Sequence, residues 1–232
     1  MSKPFTGPGR QAEPAVQLPS SWSASDAGRA GQPRPNAIVI GASTGGPQAL
    51  SIVLKGLGPA IEQVPVFIVL HIPPEFTEVI TSHIERVTNM PTHAARQGEE
   101  VAKGHIYLSP GQLHLGVGRF AGTPVIALSD EPPENFCKPS VDVLFRSAAR
   151  IYGNQLIGIV LTGMGSDGLA GSRTIVTAGG MVIAQDAASS TVWGMPRAVV
   201  NEGLAHAVLP VDAIGPTVCS LLRSYAVREG TP

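Results

Sequence analysis

The amino-acid sequence predicts an α/β domain: a doubly wound, mainly parallel sheet with helices on both faces and an antiparallel hairpin. Three observations carry this expectation. The continuous apolar runs Ala37–Ile40, Pro65–Leu70 and Leu156–Leu161 have the composition of strands buried on both faces. Glycine-rich turns follow the first and third runs, and each opens a segment with helical apolar spacing. Strand-like and helix-like segments then alternate along the chain, the pattern of a parallel sheet with crossover helices.

Taken in order, residues 1–35 hold six prolines, four glycines and five serines with almost no aliphatic periodicity. They read as a disordered segment in which Trp22 is the one large anchor. The folded domain is expected over 36–232. After the strand Ala37–Ile40, Pro47 opens a helix through Ala49, Leu50, Val53 and Leu54. A helix from about Glu75 to Val87 follows the second run, then short strands at Thr92–Arg96 and His105–Ser109. Leu113–Val117 and Val125–Leu128, on either side of a turn-rich stretch, read as a hairpin. Ser129–Pro139 is a polar loop. Ser140 is placed to cap a helix whose Val141, Leu144, Phe145 and Ala148 share one face. The third run leads into the turn Thr162–Gly168 and a further helix. Met181–Ala184 reads as a strand, Trp193–Arg197 opens a short helix, Ala205–Leu209 reads as an edge strand, and a last helix covers about Val211 to Val227.

Composition narrows the function. Apolar residues make up 43% of the chain, charged residues only 14%, and the net charge is −1, so no nucleic-acid signature is present. No apolar run reaches membrane-spanning length and no apolar leader follows Met1, so neither membrane insertion nor secretion is expected. The two cysteines, Cys137 and Cys219, read as unpaired thiols of a reducing cytoplasm. No Cys/His cluster has zinc spacing, and neither metal nor cofactor is expected.

The candidate chemistry lies at the strand ends. Gly41-Ala42-Ser43-Thr44-Gly45 fits G-x-S-x-G, a turn that exposes a serine hydroxyl in front of a helix N-terminus. A dinucleotide fingerprint fails because Ser43 stands at its second glycine, and no Walker lysine follows. A plain strand-to-helix turn with a serine cap is the competing reading. The second buried run ends at His71, and Asp167 lies in the turn after the third. In an open α/β sheet, ligands bind outside the carboxyl ends of the strands. Ser43, His71 and Asp167 would then share one rim, where they supply a nucleophile, a base and an orienting acid. Each alone could be a loop or turn residue. His83, His93, His105, His114 and His206 follow no buried run and read as structural or surface residues. The chain order Ser, His, Asp differs from that of α/β-hydrolases, so the turn does not imply that fold.

The motifs IGASTGG, HIPPEFT, KPSVDVLF, LTGMGSDGLAG and WGMPR occur here in one order. Together they resemble the catalytic domain of the chemotaxis receptor protein-glutamate methylesterases, the CheB family, from about Asn36 to the C-terminus. The resemblance implies cytoplasmic hydrolysis of glutamate γ-methyl esters on chemoreceptor helices, deamidation of receptor glutamines, and a role in adaptation. It puts the catalytic serine, histidine and aspartate on Ser43, His71 and Asp167, a backbone oxyanion donor on Met164 and the neighbouring threonine on Thr44. It implies no cofactor or metal, receptor cytoplasmic helices as partners, and a chemosensory kinase complex as a further one. Two features depart from the family. Residues 1–35 are too few for a phosphorylatable receiver domain and Asp26 has no strand-end context, so an open cleft free of phosphorylation control is expected. Glu134–Cys137 (ENFC) replaces the usual basic lead-in. Alternative readings are a methylesterase of a non-motility signalling pathway and a non-enzymatic receptor-binding module.

Overall fold

The structure, a computed structural model, describes residues 34–229. Trp22, Asp26 and the expectation of disorder over 1–35 fall largely outside the described residues. The main sheet is built from β1 (Ala37–Ala42), β2 (Val66–Leu70), β3 (Thr92–Ala94), β4 (Ile106–Leu108), β7 (Leu156–Val160), β8 (Met181–Gln185) and β9 (Ala207–Leu209). Its strand order is β3-β4-β2-β1-β7-β8-β9, and every pairing in it is parallel. β5 (His114–Phe120) and β6 (Thr123–Ser129) form a separate antiparallel pair. The hairpin strands run further than their apolar stretches. The reversal needs only Ala121 (φ 47°) and Gly122 (φ 90°), a two-residue turn with both central residues left-handed.

The apolar runs are buried because both faces of the sheet are covered. On one face, Ile38, Ile40 and Ala42 of β1 pack with α1 (Gly46–Leu57), α2 (Thr77–Thr88) and α6 (Val211–Glu229). On the other, Ala37 and Val39 pack with α3 (Val141–Tyr152), α4 (Leu169–Thr177), α5 (Met195–Asn201) and the hairpin residues Leu115, Val117 and Ile126. The alternation of β1 between two cores is the period-2 geometry of a strand.

This layering creates a crevice. The chain leaving β1 turns to the α1 face, whereas the chain leaving the adjacent β7 turns to the α4 face. At such a switch point the connections part and the carboxyl ends of the strands lie open. The inner end of α3 approaches closely beneath it: a Cβ on Gly41 would stand 2.4 Å from Val141 Cγ1.

Gly41→Ala therefore requires α3 to move outward at its first turn. We expect it to lower unfolding free energy by about 1–3 kcal/mol in urea titration, the usual range for overpacking. An unchanged midpoint would mean that the β1–α3 contact yields freely.

Candidate active site

The turn after β1 is shaped by Gly45 rather than by Ser43. Gly45 caps α1 in the left-handed region (φ 79°), and a Cβ there would stand 2.3 Å from Thr191 Oγ1. Ser43 has no positive φ, so the strained nucleophile conformation of the α/β-hydrolase elbow is absent at this serine. Its amide donates to Thr162 O (2.9 Å), and Thr162 Oγ1 donates to Thr44 O (2.9 Å). The loops after β1 and β7 are thereby laced together. Gly163 lies directly against the serine, since a Cβ on it would be 2.7 Å from Ser43 Cβ.

His71 follows β2, and its amide donates to Ala42 O (3.0 Å). It lies one residue beyond the Ala42–Leu70 pair, as Ser43 does, so the two leave the sheet side by side at about the 4.8 Å spacing of neighbouring strands. Among the described residues, Ser43 Oγ makes no hydrogen bond to the imidazole. The third candidate does make contact: His71 Nε2 is 3.0 Å from Asp167 Oδ2. An ionised carboxylate only accepts, so Nε2 carries a proton, and in the neutral imidazole Nδ1 keeps the lone pair. Nδ1 faces Cys137 Sγ at 3.9 Å.

Asp167 is 2% exposed and accepts five hydrogen bonds. Beyond His71, the donors are Ser140 Oγ (2.8 Å), Val141 N (2.7 Å), Asp142 N (3.0 Å) and its neighbour Gly168 N (3.0 Å). Burial opposes its charge, but the bonds from His71, the two α3 amides and Ser140 outweigh burial and hold its pKa below the ordinary carboxylate value. This corrects one expectation from sequence. Ser140 precedes α3, yet its side chain makes no cap hydrogen bond there; its hydroxyl goes to Asp167, and the Asp167 carboxylate takes the α3 amides instead. His114, read from sequence as structural or surface, is 1% exposed and takes the Ser140 amide on Nδ1 (3.1 Å). Neither residue follows a buried run, so only the folded chain links them to the site.

Met164 and Thr44 sit on the loops flanking Ser43 with exposed side chains. Neither amide donates a hydrogen bond among the described residues, which leaves two N–H groups beside the serine without an internal acceptor. Donor atoms of His71, Cys137 and Asp167 lie within 4.8 Å of one another, a grouping with no trace in sequence spacing because three segments supply it. The Asp167 oxygens are already taken by their five donors, and burial, with Asp167 and Asp142 nearby, pushes the Cys137 thiol up to about 11.

The sequence pattern of the CheB methylesterase family matches residues 38–218. A protein-glutamate methylesterase/protein-glutamine glutaminase of group 2 operon from Rhodopseudomonas palustris is 51% identical over 191 residues, covering 82% of this chain and 49% of that protein. A protein-glutamate methylesterase/protein-glutamine glutaminase from Azospirillum brasilense is 47% identical over 202 residues, covering 87% of this chain and 50% of that protein. The chain thus spans about half the length of these curated relatives. The crystal structure of the Thermotoga maritima CheB methylesterase catalytic domain superposes with a TM-score of 0.78 at 35% identity, over 82% of this chain and all of that one.

Asp142 provides a test of the electrostatics around the site. Burial first, and Asp167 and Glu134 nearby, push its pKa to about 6 against the bond from the Gly171 amide. The native state then holds a proton that the unfolded chain has released, so stability falls as pH rises from about 4 through 6. Asp142→Asn keeps an acceptor for Gly171 and does not titrate. Its stability relative to wild type should rise between pH 4 and 7 by up to about 3 kcal/mol, measured by chemical denaturation across that range. A pH-independent difference would show that Asp142 titrates normally.

Proposed function

The chain belongs to the CheB methylesterase family, and from that premise we propose that residues 36–232 form a catalytic domain that hydrolyses glutamate γ-methyl esters on chemoreceptor cytoplasmic helices. The observation that carries this reading is the hydrogen bond of His71 to the buried Asp167 beside Ser43, with Nδ1 left as the basic nitrogen.

In this mechanism Ser43 Oγ attacks the ester carbonyl while His71 Nδ1 accepts its proton. Asp167 keeps the imidazole in the required tautomer and stabilises the imidazolium. The proton transfer requires the Ser43 hydroxyl to meet Nδ1, and catalytic hydrogen bonds often tighten only when substrate is bound. The oxyanion is received by backbone N–H groups, for which the free amides of Met164 and Thr44 are suited. The imidazolium protonates the departing methoxide and methanol leaves. Water, deprotonated by the same nitrogen, then cleaves the glutamyl–serine ester and frees the carboxylate. With a primary amide in place of the ester, the same steps release ammonia, which is the deamidation of receptor glutamines. No cofactor or metal enters these steps.

The reading extends to a cytoplasmic role in receptor adaptation, with a chemosensory kinase complex as a further partner. None of the described helices is long and apolar enough to cross a membrane, which agrees with it. The name of the Rhodopseudomonas palustris relative, assigned to a group 2 operon, leaves room for a signalling pathway other than motility.

Ser43→Ala should cut methanol release from methylated receptor by at least about 10⁴-fold, with the melting temperature unchanged, because only a partly exposed oxygen is removed. Asp167→Asn should lower kcat by a similar order while KM changes little, since it disturbs tautomer and charge rather than binding. A folded Ser43→Ala enzyme that keeps more than a tenth of its turnover would exclude this nucleophile.

A further inference from the structure

The loop that departs from the family's basic lead-in holds an aromatic side chain in an unusual state. Phe136 is fully exposed and its backbone is left-handed, φ 64°, next to Asn135 at φ 50°. A bulky residue in that region is disfavoured by about 1–3 kcal/mol and persists only where its surroundings impose it. They do so here. Glu134 and Cys137 exchange backbone hydrogen bonds across the turn (3.1 and 2.9 Å). Glu134 is paired with Arg146 of α3, and Asn135 Nδ2 donates to Asp142 Oδ2 at 2.8 Å. The ring itself therefore gains nothing from the fold, yet the loop is fastened on both sides of it.

Its position gives this exposure a purpose. Cys137, the next residue, is the one whose sulfur lies 3.9 Å from His71 Nδ1. Gly163 touches Ser43, and the next residue, Met164, is 76% exposed. Phe76, five residues after His71, is 51% exposed. Of the six exposed large apolar side chains among the described residues, Phe136 and Met164 each adjoin a residue that borders His71 or Ser43, and Phe76 follows His71 on the loop leaving β2. Beyond Pro74 a cleft of about 510 Å³ opens, lined by Thr77, Glu78, Ala94, Pro110, Leu113 and Asp130. An ester methyl is far too small to need this surface, whereas a helix that carries the ester also presents apolar side chains one turn away.

We propose that Phe136 is a specificity-determining residue: its ring, with Met164 and Phe76, grips apolar side chains flanking the ester-bearing glutamate on a helical protein substrate. The proposal rests on the methylesterase reading of the site. It makes the enzyme select a helix, through contacts that the reacting ester does not share.

The test is Phe136→Gly in the full chain. Glycine tolerates the left-handed backbone, so the melting temperature should equal or exceed that of wild type. On a methylated chemoreceptor cytoplasmic fragment, KM should rise about tenfold with kcat nearly unchanged, as expected for losing partial burial of one aromatic ring. On N-acetyl-glutamate γ-methyl ester, kcat/KM should stay within about twofold, because no flanking helix is present. Phe136→Leu should recover most of the affinity. Binding of the same fragment to Ser43→Ala protein, with and without Phe136→Gly, should show the same tenfold loss by fluorescence anisotropy. An unchanged KM and Kd would overturn the proposal. So would equal losses on both substrates, which would place the effect on His71 through Cys137, or a wild-type dimer that Phe136→Gly dissolves. If wild type hydrolyses neither ester, the methylesterase reading fails, and the anisotropy comparison still decides whether Phe136 docks the fragment.

Discussion

The carboxylate of Asp167 is the interaction on which the site depends. A charge with 2% exposure is tolerated only where donors replace its hydration, and five do so here. Those donors come from separate parts of the chain: the end of β2, the residue before α3, the first turn of α3 and the start of α4. The group that orients His71 therefore also fixes how α3 enters the domain. Two amides at the α3 N-terminus face a negative charge, an arrangement the helix dipole favours. The acid cannot be neutralised without leaving backbone donors of α3 short of an acceptor, so the chemistry and the packing of this face are coupled.

Close approach supplies the rest of the geometry. Gly41 lets α3 come against β1, Gly45 lets the chain turn into α1 against Thr191, and Gly163 lets the β7 loop lie on Ser43. A side chain at any of the three would meet another atom well inside contact distance. The serine is thus held by its neighbours' lack of side chains, and its own backbone stays relaxed. That differs from the α/β-hydrolase solution, where the same G-x-S-x-G spacing accompanies a strained nucleophile. Similar spacing has been reached on another topology, with the chain order Ser, His, Asp and an all-parallel seven-stranded sheet.

The ENFC loop shows how a distant segment comes to border the candidate site. Its hydrogen bonds to Asp142 and its ion pair with Arg146 tie it to the same helix that Asp167 caps. Cys137 is carried to His71 by this attachment, and Phe136 is carried into solvent beside it. Local sequence gives neither fact a signal, because the loop is polar, proline-rich and without periodicity.

The sequence alone determined the layers. Runs of β-branched and aliphatic residues form strands wherever both faces are covered, and three such runs mark β1, β2 and β7. It also singled out Ser43, His71 and Asp167, because each stands at or just beyond the end of a buried run. Tertiary structure decided what these residues do to one another. Strand order put β1 between β2 and β7, so three residues far apart in the chain reached one rim, and parallel register set Ser43 beside His71. It also turned Ser140 from an expected helix cap into an Asp167 donor and drew His114 and Cys137 toward the site. The physical reason is range. Periodicity and turn chemistry act over a few residues, whereas hydrogen bonds to a buried carboxylate are satisfied by whichever donors the packed elements bring to it.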